Sequence, residues 1–95
     1  MWSAILAWQI DLSDTATRQL SKIGKSEAKR IIGFLRDRLA PLDDPRLIGH
    51  ALKGAVYGDL WRYRVGDYRI VASIEDERVS ILVVKIGHRR EVHRD

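Results

Sequence analysis

Cysteine is absent from the 95 residues, and that absence removes disulfides, thiolate nucleophiles and zinc–thiolate sites together. The apolar opening MWSAILAWQIDL is shorter than the ~20 residues that a membrane-spanning helix needs. It also lacks the basic start and small-residue cleavage site of a secretory signal, so a cytoplasmic chain with no membrane contact is expected. There is no glycine-rich loop of the kind that cradles phosphate, and Ser73 and Ser80 fall inside strand-like segments with no nucleophile elbow around them. His88 and His93 stand five apart with no cysteine or carboxylate at ligand spacing, so no metal or other cofactor is expected. Repeats, low-complexity tracts and linkers are also missing, and residues 1–95 read as one domain.

What the chain does have is arginine. The formal charge is +4, and of 17 basic residues twelve are Arg and five are Lys. The sequence pI is about 9.8. A guanidinium grips phosphate through a planar fork, so this balance leans toward nucleic acid, although an acidic protein surface would suit it equally. Hydrophobic residues make up 45% of the chain, enough for a modest core of packed layers.

The order of elements follows from periodicity. Residues 4–12, AILAWQIDL, read as a buried strand. Ser13 offers an N-cap to a first helix in which Ala16, Leu20 and Ile23 recur at helical spacing, and Gly24 is suited to end it. Ser26 offers a cap to a second helix with an apolar stripe of Ala28, Ile31, Ile32, Leu35 and Leu39, which stops before Pro41. The DDP turn at 43–45 then leads to a second half of different character. There the alternation of LWRYRV, the Gly66-Asp67 pair, YRIVASI, the polar EDER and the apolar VSILVVKI predict a three-stranded antiparallel meander. The expected class is α+β, with the N-terminal strand joining a small, mainly antiparallel sheet and the helix hairpin packed on one face.

With Gly66-Asp67 as a two-residue turn, Val65 faces Tyr68 and Arg64 faces Arg69, while Arg62 lies one step further on the same side. Three guanidinium groups then rise from one face, and Trp61, Tyr63, Val65, Tyr68 and Ile70 point to the other. Opposed like charges cost roughly 0.2–1 kcal/mol, which is too little to tell a solvated polar face from an anion site. The C-terminal IGHRREVHRD adds His88, Arg89, Arg90, His93 and Arg94 close to the same hairpin, or else is a frayed basic terminus.

The run DPR…L-K-G…LWRYRVGDYRIV…ILVVKIGHRREV resembles the RelE branch of the RelE/ParE toxin superfamily over nearly the whole chain. The resemblance implies the toxic half of a type II toxin–antitoxin pair. Its implied activity is a metal-independent endoribonuclease that cuts mRNA in the ribosomal A site. There the ribose 2′-OH attacks its own 3′ phosphate and leaves a 2′,3′-cyclic phosphate and a 5′-OH. Carried over by position, the catalytic set is Arg62, Arg64, Arg69, Arg89 and His93. Lys53, His88 and Arg90 join Arg62, Arg64, Arg69 and Arg89 as RNA-binding residues.

Two departures bear on mechanism. Arginines stand where some relatives have lysines on the first hairpin strand, and a guanidinium that stays protonated holds phosphate but is no general base. His93 stands where tyrosine is commoner, and imidazole titrates near neutral pH, which makes it the acid or base of the set. The partners implied are a RelB-like antitoxin, the ribosome and mRNA, with a toxin–antitoxin heterotetramer as the assembly the resemblance allows. Two rival readings are a ParE-like toxin that poisons DNA gyrase without catalysis, and a catalytically silent homologue.

Overall fold

In the computed structural model, residues 7–52 and 60–88 are described. Strand β1 (Gln9–Leu12) leads into helix α1 (Asp14–Lys22) and helix α2 (Lys25–Gly33), which continues as a wider π-helical segment, Phe34–Leu39. A 3-10 turn at Pro45–Ile48 precedes β2 (His50–Ala51), and β3 (Leu60–Val65), β4 (Tyr68–Glu75) and β5 (Ser80–His88) form the meander. The five strands lie in the order β1-β5-β4-β3-β2, antiparallel except that β1 runs parallel to β5. The expected α+β architecture is thus present, and β2 is a fifth strand that the sequence reading did not contain.

The helical hairpin forms largely as its sequence suggests. The Ser13 hydroxyl accepts from the Ala16 N–H at 3.0 Å and caps α1. Ser26, expected to cap α2, lies instead within its first turn, because Gly24 is the N-cap. Gly24 takes φ +93°, a conformation costly for any residue with a Cβ, and its carbonyl accepts from the Ala28 N–H at 3.0 Å. One glycine therefore ends the first helix and starts the second, leaving Ser26 nothing to cap.

Strand β1 also differs from expectation. Ile10 and Trp8 pack against the core, but Gln9, Asp11 and Leu12 are exposed, because β1 pairs with β5 alone and forms one edge of the sheet. The buried strands are β4 and β5. Residues 4–6 of the expected first strand lie outside the described residues.

The core sits between the helices and one face of the sheet. Ala16, Leu20, Ile31, Leu35 and Leu39 meet Tyr63, Val65, Ile70, Ala72, Ile81, Val83 and Ile86. Full burial of such an aliphatic side chain stabilises by roughly 1.5–3 kcal/mol. Tyr63 is fully buried, and its hydroxyl donates to the Pro45 carbonyl at 2.8 Å. Gly49 accommodates the ring, since a Cβ there would stand 2.7 Å from Tyr63 Cε1. Nearby, Arg46 reaches Asp76 with two hydrogen bonds of 3.2 and 2.7 Å, contacts Asp44 at 3.2 Å and lies 6.0 Å from the centre of the Trp61 ring. Those contacts tie the 3-10 turn to the end of β4 and hold β2 beside β3.

Burial pushes the Tyr63 phenol from its ordinary 10.0 up to about 12, against a partly offsetting pull from Arg46. An unfolded chain releases this proton near pH 10 while the folded one keeps it, so the contribution is complete below pH 10 and lost as pH rises toward 12. In alkaline denaturation, Tyr63→Phe is expected to remove that component of the slope, read as the difference from wild type. At neutral pH it should cost about 1–2 kcal/mol for the unpartnered Pro45 carbonyl.

At the β4–β5 turn, Val79 holds φ +51°, where a β-branched residue is strained. It is exposed and makes its hydrogen bonds through its backbone. Val79→Asn is expected to raise thermal stability by about 1 kcal/mol, measured by calorimetry.

Candidate functional site

The β3–β4 register places the three hairpin arginines as the sequence predicts: Val65 pairs with Tyr68, Arg64 with Arg69 and Arg62 with Val71. Gly66 takes φ +61° and Asp67 has a negative φ, the pattern of a two-residue turn with glycine in the first central position. Tyr63, Val65 and Ile70 are buried on the helix side, with Trp61 and Tyr68 packed against them. Arg62, Arg64 and Arg69 therefore share the face turned away from the helices. Arg69 folds back over the turn, its Nη1 donating to the Tyr68 carbonyl at 3.2 Å and the Gly66 carbonyl at 3.4 Å.

A bulge in β5 decides what else stands on this face. Ala72 pairs with Val83 but Val71 pairs with Lys85, so Val84 is the extra residue. Up to Val83 the odd-numbered residues Ile81 and Val83 enter the core; beyond the bulge the even-numbered Ile86 does so. Lys85 is thereby turned to the arginine face, in line with Val71 and Arg62. Gly87 falls opposite Arg69 and places no side chain beside it. Val71 is 5% exposed although it lies on this face, with the long stems of Arg62 and Lys85 on either side in the register.

The bulge is fastened by the junction of β1 and α1. The Ser13 N–H donates to the Val83 carbonyl at 2.9 Å and its hydroxyl donates to the Val84 carbonyl at 2.7 Å. Further along, Gln19 Oε1 accepts from the Ile86 N–H at 2.6 Å. Side chains of the helix thus take over the β5 edge where β1 ends.

β2 adds a residue on the far side. His50 pairs with Arg62, so one line across four strands reads His50, Arg62, Val71, Lys85, and the next reads Arg64, Arg69, Gly87. Adjacent strands lie about 4.8 Å apart, which puts Arg62 and Lys85 within roughly 10 Å at the backbone. A fifth cation approaches from the helices. Arg30 Nη1 lies 2.8 Å from where a Cβ at Gly66 would be, and the same guanidinium stands 3.7 Å from Glu27.

Not every expected residue joins this group. His88 pairs with Tyr68 and belongs to the opposite, helix-side face. Its ring meets that of Tyr68 edge-on at 5.7 Å and lines a cleft of about 330 Å³ with Gln19, Lys22 and Ile23. The bulge that presents Lys85 also turns His88 away. Lys53, Arg89, Arg90 and His93 lie outside the described residues. Lys85 and His50 were absent from the sequence-derived set. Neither gave a signal in the sequence: residues 81–84 are apolar at every position, so the break in alternation shows only in burial, and His50 followed a turn with no strand pattern.

Two helices packed on a mixed five-stranded sheet are also the fold of RelE toxins. The model of the ParE toxin of the type II toxin–antitoxin system parDE matches residues 10–93, and the chain belongs to that family, within the RelE/ParE superfamily. Toxin RelG of Mycobacterium tuberculosis is 24% identical over 89 residues, covering 94% of this chain and 99% of the relative. The RelBE2 toxin–antitoxin complex of M. tuberculosis superposes with a TM-score of 0.79 at 23% identity, over 90% of this chain and 95% of the other. The RelE–RelB complex of Pyrococcus horikoshii gives 0.69 at 28% identity, over 87% and 96%. Isolated Escherichia coli RelE gives 0.69 at 23% identity, over 93% and 98%.

Because Ser13 both caps α1 and holds the bulge, Ser13→Ala is expected to destabilise by about 1–2 kcal/mol. Amide exchange should accelerate selectively at Lys85 and Ile86, which hydrogen-exchange mass spectrometry would localise.

Proposed function

We propose that this toxin is a metal-independent endoribonuclease that cuts mRNA in the ribosomal A site and is held inactive by a cognate antitoxin. The observation that carries the reading is the gathering of Arg62, Arg64, Arg69 and Lys85 from three strands onto one face. Attack by a 2′-OH on the neighbouring phosphate builds a crowded dianionic phosphorane, and fixed cations lower its energy most when they are already in place. A rigid sheet meets that condition, because its register holds the cations together before any substrate arrives. Arg89, Arg90 and Lys53 extend the phosphate contacts in this reading, and His93 transfers a proton. A RelB-like antitoxin is the partner, as in the complexes of the structural relatives. An extended acidic segment laid across the basic face would neutralise it by occlusion.

The ParE family match favours one other reading, a toxin that binds and poisons DNA gyrase. It uses the same cations for recognition and needs no proton transfer.

The test adds purified toxin to ribosomes stalled on a defined mRNA and maps new 5′ ends by primer extension. Cuts at the A-site codon are expected, and Arg64→Ala and Arg69→Ala should abolish them while folding stays intact. Translation-competent ribosomes that yield no cuts would overturn the nuclease reading, and inhibition of supercoiling by purified gyrase would then identify the alternative.

A further inference from the structure

Cleavage by an internal 2′-OH needs a group that accepts its proton, and the arginines of this face stay protonated throughout the relevant pH range. Of the three histidines in the chain, His88 faces the helices and His93 lies outside the described residues. His50 is the one that the described register brings to the arginines. It is exposed, on the short edge strand β2, and directly opposite Arg62, with Arg64 the diagonal neighbour on β3. Directly opposed side chains on a sheet start about 4.5–5.5 Å apart at Cβ, so a phosphate held by Arg62 is within reach of the imidazole. Arg69 and Lys85 stand further in on the same face. Among the described residues, its carboxylates Asp11 on β1 and Glu75 on β4 belong to the far end of the sheet, where Ser80 joins them. In the turn before β2, Arg46 and Asp44 are bound to each other, and Arg46 also to Asp76. Among the described residues, the charged groups that this face brings nearest to His50 are thus cations.

We propose that His50 is the proton acceptor of the site, an inference that rests on the nuclease reading above. With Arg62 holding the scissile phosphate, the neutral imidazole takes the 2′-hydroxyl proton as the 2′ oxygen bonds to phosphorus. The bond from phosphorus to the 5′ oxygen breaks, that oxygen takes the proton that the reading above assigns to His93, and the imidazolium returns its own to solution. No oxidant, metal or further reactant enters the balance.

Single-turnover cleavage of ribosome-bound mRNA is followed across neutral pH for wild type, His50→Gln and Arg64→Ala. His50→Gln is expected to lower the rate about 100-fold or more and to erase the fall in rate toward acid pH expected of the wild type. A normal rate, or a lowered rate with the acid limb preserved, would overturn the role of His50 while the loss in Arg64→Ala upholds the nuclease reading. No cleavage by wild type on competent ribosomes would overturn both. Should His50→Gln melt early, the wild-type imidazole can be titrated by NMR with and without a 2′-deoxy substrate analogue. A pKa raised by the bound phosphate supports the proposal, and an unshifted one overturns it.

Discussion

One hydroxyl group holds the key junction of this fold. Ser13 ends the parallel pairing of β1 with β5, caps α1 and donates to the carbonyl of the bulged Val84. Each of these roles constrains the others. The cap sets where α1 begins, that start brings Gln19 against Ile86, and the two contacts secure the stretch of β5 that β1 does not reach. The bulge so fixed exchanges the faces of the β5 residues that follow it, Lys85 to His88. Lys85 then stands with the arginines, Ile86 enters the core and His88 turns toward α1.

The parts of this arrangement that were legible in the sequence are those written in local patterns. Gly66-Asp67 specifies a two-residue turn, and a two-residue turn leaves one register for LWRYRV against YRIVAS, so the arginine face follows from the sequence alone. Of the stripe Ala28, Ile31, Ile32, Leu35 and Leu39, Ile31, Leu35 and Leu39 mark the buried side of the second helical segment, whereas Ile32 is 40% exposed. The failures share a different cause. A bulge is invisible to a reading that treats VSILVVKI as uniformly apolar, because both faces of the strand then look alike. The short strand β2 has no alternation of its own and exists because β3 and the Tyr63–Gly49 contact hold it in place. Ser26 looked like a cap for want of a reason to prefer Gly24, whose positive φ depends on how closely the two helices follow one another.

The two kinds of charge in the molecule behave differently. The Arg46 cluster is satisfied internally by Asp44, Asp76 and the Trp61 ring, and it joins distant segments. On the other face the register opposes Arg64 to Arg69 directly, at the roughly 0.2–1 kcal/mol that like charges cost across a ladder. An anionic ligand on this face would relieve that repulsion.

The pairing of β1 with β5 has a consequence for the order in which the molecule assembles. Gln9 meets Ser80 and Leu12 meets Val83, contacts between segments roughly seventy residues apart in the chain. The β3–β4 hairpin can form from neighbours, whereas the line from His50 to Lys85 requires β5, and the bulge that orients Lys85 requires Ser13. During synthesis the arginine hairpin therefore leaves the ribosome before the strand that completes its face. A toxin built in this order acquires the cationic surface described here only once β5 has been made.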